Sequence, residues 1–164
     1  MRILGIDPGT ARLGYSILET ARPESKQYEL VECGIIQTDK NKANAERLHE
    51  IRVDLKNLIN NFQPEILAIE QLFFFKNLKT VIPVAEARGV VLELAYEHNL
   101  KIFEYTPLQV KQILTGHGRA EKSAVEHAVM LDLKLTEKIR PDDAVDAVAI
   151  AICFLRQSLL EFDR

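Results

Sequence analysis

The sequence predicts an α/β fold: a mixed five-stranded sheet, its first three strands antiparallel, with helices on both faces. Three observations carry this. The first apolar runs follow one another too closely to leave room for helices between them. Later apolar runs alternate with segments whose apolar residues recur every three or four positions. No linker, repeat or low-complexity stretch divides the 164 residues, a length that suits one domain over residues 1–164.

Taken in order, Ile3–Ile6 is a short apolar run closed by the turn formers Asp7, Pro8 and Gly9, a buried strand and its exit. Strand-like segments follow at Gly14–Leu18 and Tyr28–Gln37, with a turn between them. Leu48, Ile51, Leu55, Leu58, Ile59 and Phe62 then mark a helix that ends before Pro64. A strand at Ile66–Ile69, a helix at Pro83–Glu97 and a strand at Lys101–Tyr105 come next. Thr106 and Pro107 supply an N-cap and a first-turn proline. Helices near Ala120–Leu133 and Pro141–Leu160 complete the chain.

Composition excludes several classes. No stretch approaches the 18 apolar residues of a membrane span. The N-terminus turns polar by Asp7, unlike a signal peptide. Cys33 and Cys153 are too few and too far apart for a zinc site or a disulfide framework, and read as small core residues. The expectation is a cytoplasmic protein with no membrane association. Lys and Arg number 21 against 24 Asp and Glu, a net charge of −3 that on its face disfavours a polyanionic partner.

Four carboxylates occupy unusual places. Asp7 ends the apolar strand ILGID and Glu70 ends ILAIE. Side by side and parallel, those strands project both acids from the sheet's carboxyl end, where α/β folds bind ligands. The last helix reads AVDAVAIAICFL over 144–155, apolar except for Asp146. An apolar helix is buried, and a buried carboxylate needs neutralising or ligating. Asp143 lies three residues earlier on the same face. Asp142 is accounted for by the helix dipole. No Lys or Arg within these motifs offers an internal partner, so an oxygen-only set is read as a site for Mg²⁺ or Mn²⁺. Two such ions can activate water and stabilise the leaving oxygen of a phosphodiester. His49, His98, His117 and His127 lack metal-ligand spacing.

Five segments in order resemble the RuvC family of bacterial Holliday-junction resolvases: GIDPGTARLGYS, AIEQLFFFKN, EARGV, FEYTPLQVKQILTGHGRAEKSAVEH and DDAVDAVAIAI. The resemblance covers essentially the whole chain. It implies a ribonuclease-H-like fold and a homodimeric, Mg²⁺-dependent endonuclease that nicks four-way junction DNA symmetrically, in concert with the RuvA–RuvB branch-migration complex. Matched by motif, the catalytic metal ligands fall on Asp7, Glu70, Asp143 and Asp146. Metal ligation and an acid/base role both stay open for Asp143. The resemblance points to Phe73 for stacking on an unpaired base, an interaction of about 1–3 kcal/mol. At least one of Phe74 and Phe75 is assigned to packing. Lys111 and Lys122 match the family's catalytic lysines. Lys76, Lys79, Arg88 and Arg119 are further DNA-contact candidates.

Alternatives are an RNA-acting ribonuclease-H-fold nuclease of the YqgF type, or a non-catalytic junction-binding module. The phosphate loop of actin-like ATPases has a similar Asp-x-Gly-Thr pattern, but those proteins need two such domains. Apolar residues on two sides of the 83–97 helix, with Ala87, Val90 and Tyr96 widening the stripe of Val84, Val91, Leu94 and Ala95, predict burial against a second subunit. Without the four proposed ligands the 24 acids fall to 20, against 21 basic residues. The net acidity is then compatible with DNA.

Overall fold

The computed structural model describes residues 1–22, 25, 27–72 and 78–162, without the side chains of 78–80 and 159–162. Five strands and five helices follow one another: β1 (Arg2–Asp7), β2 (Arg12–Thr20), β3 (Tyr28–Gln37), α1 (Asn44–Phe62), β4 (Ile66–Glu70), α2 (Leu78–Glu97), β5 (Lys101–Tyr105), α3 (Pro107–Thr115), α4 (Lys122–Asp132) and α5 (Asp142–Phe162). The sheet order is β3-β2-β1-β4-β5. β1, β2 and β3 pair antiparallel, while β4 joins β1 and β5 joins β4 in parallel. This is the mixed sheet the sequence predicts.

Strand alternation separates two apolar layers. Leu4, Ile6, Leu67 and Ile69 pack with Ile51, Leu55 and Ile59 of α1 and Ala87, Val91 and Leu94 of α2. Ile3, Ile66 and Ala68 face the other way, against Val110 of α3, Val125 and Val129 of α4, and the apolar run of α5. Period two therefore puts Asp7 and Glu70, in step with Ile3 and Ala68, on the α5 side. Cys153 is buried there and Cys33 half-buried beside it, as small core residues.

Most differences from the predicted elements are at their ends. α2 begins at Leu78 and carries Pro83 in its second turn, where the ring removes one backbone hydrogen bond without ending the helix. The proline was expected to open that helix. Ala87, expected to widen its apolar stripe, belongs to the core itself. The predicted cap of α3 is present: Thr106 accepts from the Gln109 amide, with Pro107 in the first turn. Among the described residues no helix is long and apolar enough to cross a membrane.

Candidate active site

The site is set by how closely α5 approaches the sheet. A Cβ at Gly5 would lie 2.2 Å from the Ala147 carbonyl oxygen, and one at Gly14 would lie 2.0 Å from that of Asp143. Only glycine at both positions lets the first two turns of α5 rest on β1 and β2. Ser16 Oγ adds a buried hydrogen bond of 3.0 Å to the Ala147 carbonyl. Ile6 pairs with Ile69, so Asp7 and Glu70, one residue further on, end neighbouring parallel strands directly beneath that helix.

Asp7, Glu70 and Asp146 line one cleft of about 230 Å³ together with Lys111 and Lys122. Pro107, Val110, Val125, Ala149 and Ile150 form its apolar wall. Asp143 stands close enough for its charge to act on Asp7. Burial pushes the Asp7 carboxyl up to about 8, with Glu70, Asp146 and Asp143 adding to it and Lys122 opposing. Glu70 is raised to about 7, first by burial and then by Asp146. These carboxylates are short of positive charge.

Two expectations need correcting. Asp146 is neither fully buried nor unpartnered: its side chain is 35% exposed, and Lys122 Nζ lies 2.8 Å from Oδ2. The helix is apolar over 144–155 except for Asp146, but its first turns open onto the cleft, and the partner comes from the start of α4, 24 residues away in the chain. Asp143 is likewise met by Arg12 Nη1 at 3.5 Å. Asp142 takes Arg140 at 2.9 Å and Lys122 at 3.7 Å. Arg88, a candidate DNA contact, is occupied within the fold. It is ion-paired with Glu104 and donates to the Glu70 backbone carbonyl at 3.2 Å. It steadies the end of β4.

The donor set suits a hard divalent ion: oxygen only, mutually repelling and partly desolvated. Among the described residues no three His, Cys, Asp or Glu side chains already converge on one point. The Lys122 ammonium meets Asp146 instead, a cation in the midst of the acids. Lys111 also lines the cleft, and among the described residues no carboxylate pairs with it. His49, His117 and His127 are exposed and His98 is half-buried; none of them lines the cleft. Phe73, Phe74, Phe75 and Lys76 lie outside the described residues, as does the Lys79 side chain.

Sequence reasoning missed Arg12 and Arg140 as partners of the site, and it assigned Arg88 to DNA where the fold pairs it with Glu104 and the Glu70 carbonyl. Each is an ordinary charged residue locally, and only the fold brings it there.

Known proteins resemble this chain over nearly its full length. The sequence model described as crossover junction endodeoxyribonuclease RuvC matches residues 3–154. A relative of that description from Synechococcus sp. (strain WH7803) is 48% identical over 152 residues, 93% of this chain and 96% of its own. One from Caldicellulosiruptor saccharolyticus is 44% identical over 158 residues, 96% of this chain and 94% of its own. The structure of T. thermophilus RuvC in complex with Holliday junction substrate superposes with a TM-score of 0.90 at 32% identity, covering 98% of this chain and 96% of that one. Matched by the family's model over 3–154 and by such relatives along almost all of its length, the chain belongs to the RuvC family of crossover junction endodeoxyribonucleases.

Proposed function

We propose that this protein resolves four-way DNA junctions by paired, symmetric nicks, through Mg²⁺-dependent phosphodiester hydrolysis with two ions per site. Membership of a RuvC-type nuclease family implies a divalent cation. One observation carries the reading: two strand-end carboxylates, Asp7 and Glu70, share a cleft with Asp146 of α5 and two lysines. Such ions, when bound, supply an activated water and charge to offset that of the leaving oxygen.

Asp7, Glu70, Asp143 and Asp146 are the ligands. Burial disfavours the charged forms of Asp7 and Glu70, and repulsion among the acids favours a cation once the two are deprotonated. Lys111 and Lys122 flank them, within reach of a phosphate running along the cleft. With a cation held by these acids, Lys122 would be released from Asp146 and free to pair with the phosphate. The apolar wall excludes water from one side, which strengthens these interactions. Phe73 and Lys76 are assigned to the DNA by their match to the family's motif alone.

The active form is a homodimer joined through α2, working with the RuvA–RuvB complex. Ile82 is 60% exposed and Tyr96 82% exposed, one heptad to either side of Gly89. A Cβ at Gly89 would meet no atom within 4 Å. Ala85 and Leu92 complete a stripe at coiled-coil spacing, with small residues at its centre. Two such sites about a two-fold axis match paired cuts.

The decisive experiment mixes the protein and Mg²⁺ with a synthetic four-way junction, a linear duplex and an RNA hairpin. Paired nicks confined to the junction are expected. Cleavage of the RNA alone would overturn the reading.

A further inference from the structure

Arg156 lies on α5 ten residues beyond Asp146, about 15 Å along the helix. It commits four hydrogen bonds to two other helices. Nε and Nη2 reach Asp132 Oδ2 and Oδ1 at 3.1 and 2.6 Å. Nη1 reaches the carbonyls of Ile113 and Leu114 at 2.9 and 3.0 Å. The Tyr28 hydroxyl of β3 donates to Asp132 Oδ2 at 2.8 Å. One guanidinium thus gathers the last residue of α4 and the last turn of α3 onto α5, with β3 as a further anchor.

This is more than surface pairing. Asp132 stands at the negative end of α4, where a carboxylate is locally unfavourable, so its placement depends on Arg156. The Ile113 and Leu114 carbonyls belong to the last turn of α3, which has few internal donors. At this end of the helices the remaining ties of α3 and α4 to α5 include apolar contacts through Val110, Leu114, Val125 and Val129, while at the cleft end Lys122 of α4 pairs with Asp146 and Asp142 of α5. Apolar contact is non-directional and resists separation better than sliding or rotation. A bidentate Arg–carboxylate fork is directional.

The helices held this way carry the two lysines of the cleft: Lys111 in α3, and Lys122 at the start of the α4 that Asp132 ends. We infer that Arg156, with Asp132 and Tyr28, is a positioning group for the reaction. It sets Lys111 and Lys122 against the carboxylates of the same helix it extends from. This rests on the proposed role of the two lysines toward the phosphate. A misplacement of about 1 Å remote from the chemistry can cost about 10²-fold in rate.

The test measures single-turnover cleavage of a saturating four-way junction, and junction Kd with Ca²⁺ in place of Mg²⁺. The variants are Arg156→Met, Asp132→Asn and Tyr28→Phe, each alone and combined with Lys122→Met. Arg156→Met is expected to cleave about 10- to 100-fold more slowly with Kd within about 3-fold of wild type. Its effect should shrink where Lys122 is already Met, to the part exerted through Lys111, because groups acting through one another are not additive. An equal fold-loss in both backgrounds means a general structural defect and overturns the positioning role alone. Wild-type cleavage by Lys122→Met would instead sink the lysine assignment, and the positioning role with it. Should Arg156→Met not fold, Tyr28→Phe, which deletes one hydroxyl, is expected to slow cleavage about 3- to 10-fold with the same non-additivity. Wild-type behaviour of Tyr28→Phe would then count against the idea.

Discussion

Lys122 Nζ and Asp146 Oδ2 stand 2.8 Å apart, an ammonium set among carboxylates that belong to a different helix. The pair joins the start of α4 to the second turn of α5, and it lowers the cost of holding Asp7 close to Asp146. Lys122 is itself held more strongly protonated, chiefly by this hydrogen bond. The same side chain that compensates the acids lines the cleft proposed to receive the phosphate.

Replacing that lysine separates the two roles. Without divalent ions, Lys122→Met should melt a few degrees lower than wild type, since a half-exposed pair contributes no more than about 1 kcal/mol. Millimolar Mg²⁺ should narrow the gap while cleavage stays impaired. Differential scanning fluorimetry with and without Mg²⁺ reads the first effect, and an equal or higher melting temperature in EDTA would contradict it.

Asp146→Asn keeps the size of the side chain and removes its charge. Cleavage should fall by more than about 10²-fold, because charge stabilisation in the transition state is lost. Junction binding, measured by gel shift, should persist. Loss of binding together with cleavage would mark Asp146 as a structural residue.

The raised Asp7 carboxyl makes the metal-free protein pH-sensitive in a defined direction. Its folded value is about 8 against an ordinary 3.8, so between those limits the folded state holds a proton that the unfolded state has released. Stability without metal therefore falls as pH rises from about 4 to about 8. Asp7→Asn should be inactive. In EDTA at pH 8 it should also be more stable than wild type by about 1 kcal/mol or more, with near parity at pH 4. Urea denaturation at both pH values checks the sign. With Glu70 raised to about 7, metal binding at pH 7 should release protons, visible by calorimetry in buffers of different ionisation enthalpy.

The α2 stripe gives a prediction independent of the chemistry. Gly89→Arg places a charged side chain in open space on the monomer, so folding should be unaffected. Sedimentation should show wild type as a dimer and Gly89→Arg as a monomer at micromolar concentration. A wild-type monomer, or a variant still dimeric, would remove α2 as the interface.

Much of the site was legible because strand and helix periodicities are local. Asp7 after ILGI and Glu70 after ILAI each close a buried strand, so period two carries both to one face whatever else the chain does. Asp146 stood out as the one charge in an apolar helix, and Asp143 shares its face. Gly5 and Gly14 were unremarkable in sequence, since a close approach of α5 exists only between elements more than 100 residues apart.

The sequence by itself determined the mixed sheet, the common end of its two acidic strands and the oxygen-only donor set. All of these follow from patterns no longer than one strand or helix. Tertiary structure alone decided which charges meet: Lys122 with Asp146, Arg12 with Asp143, Arg88 with the Glu70 carbonyl and Arg156 with Asp132. Local propensity says nothing about such pairs. A long cationic side chain has the same solvated appearance in any helix, and its partner is set by the packing of helices that core residues bring together.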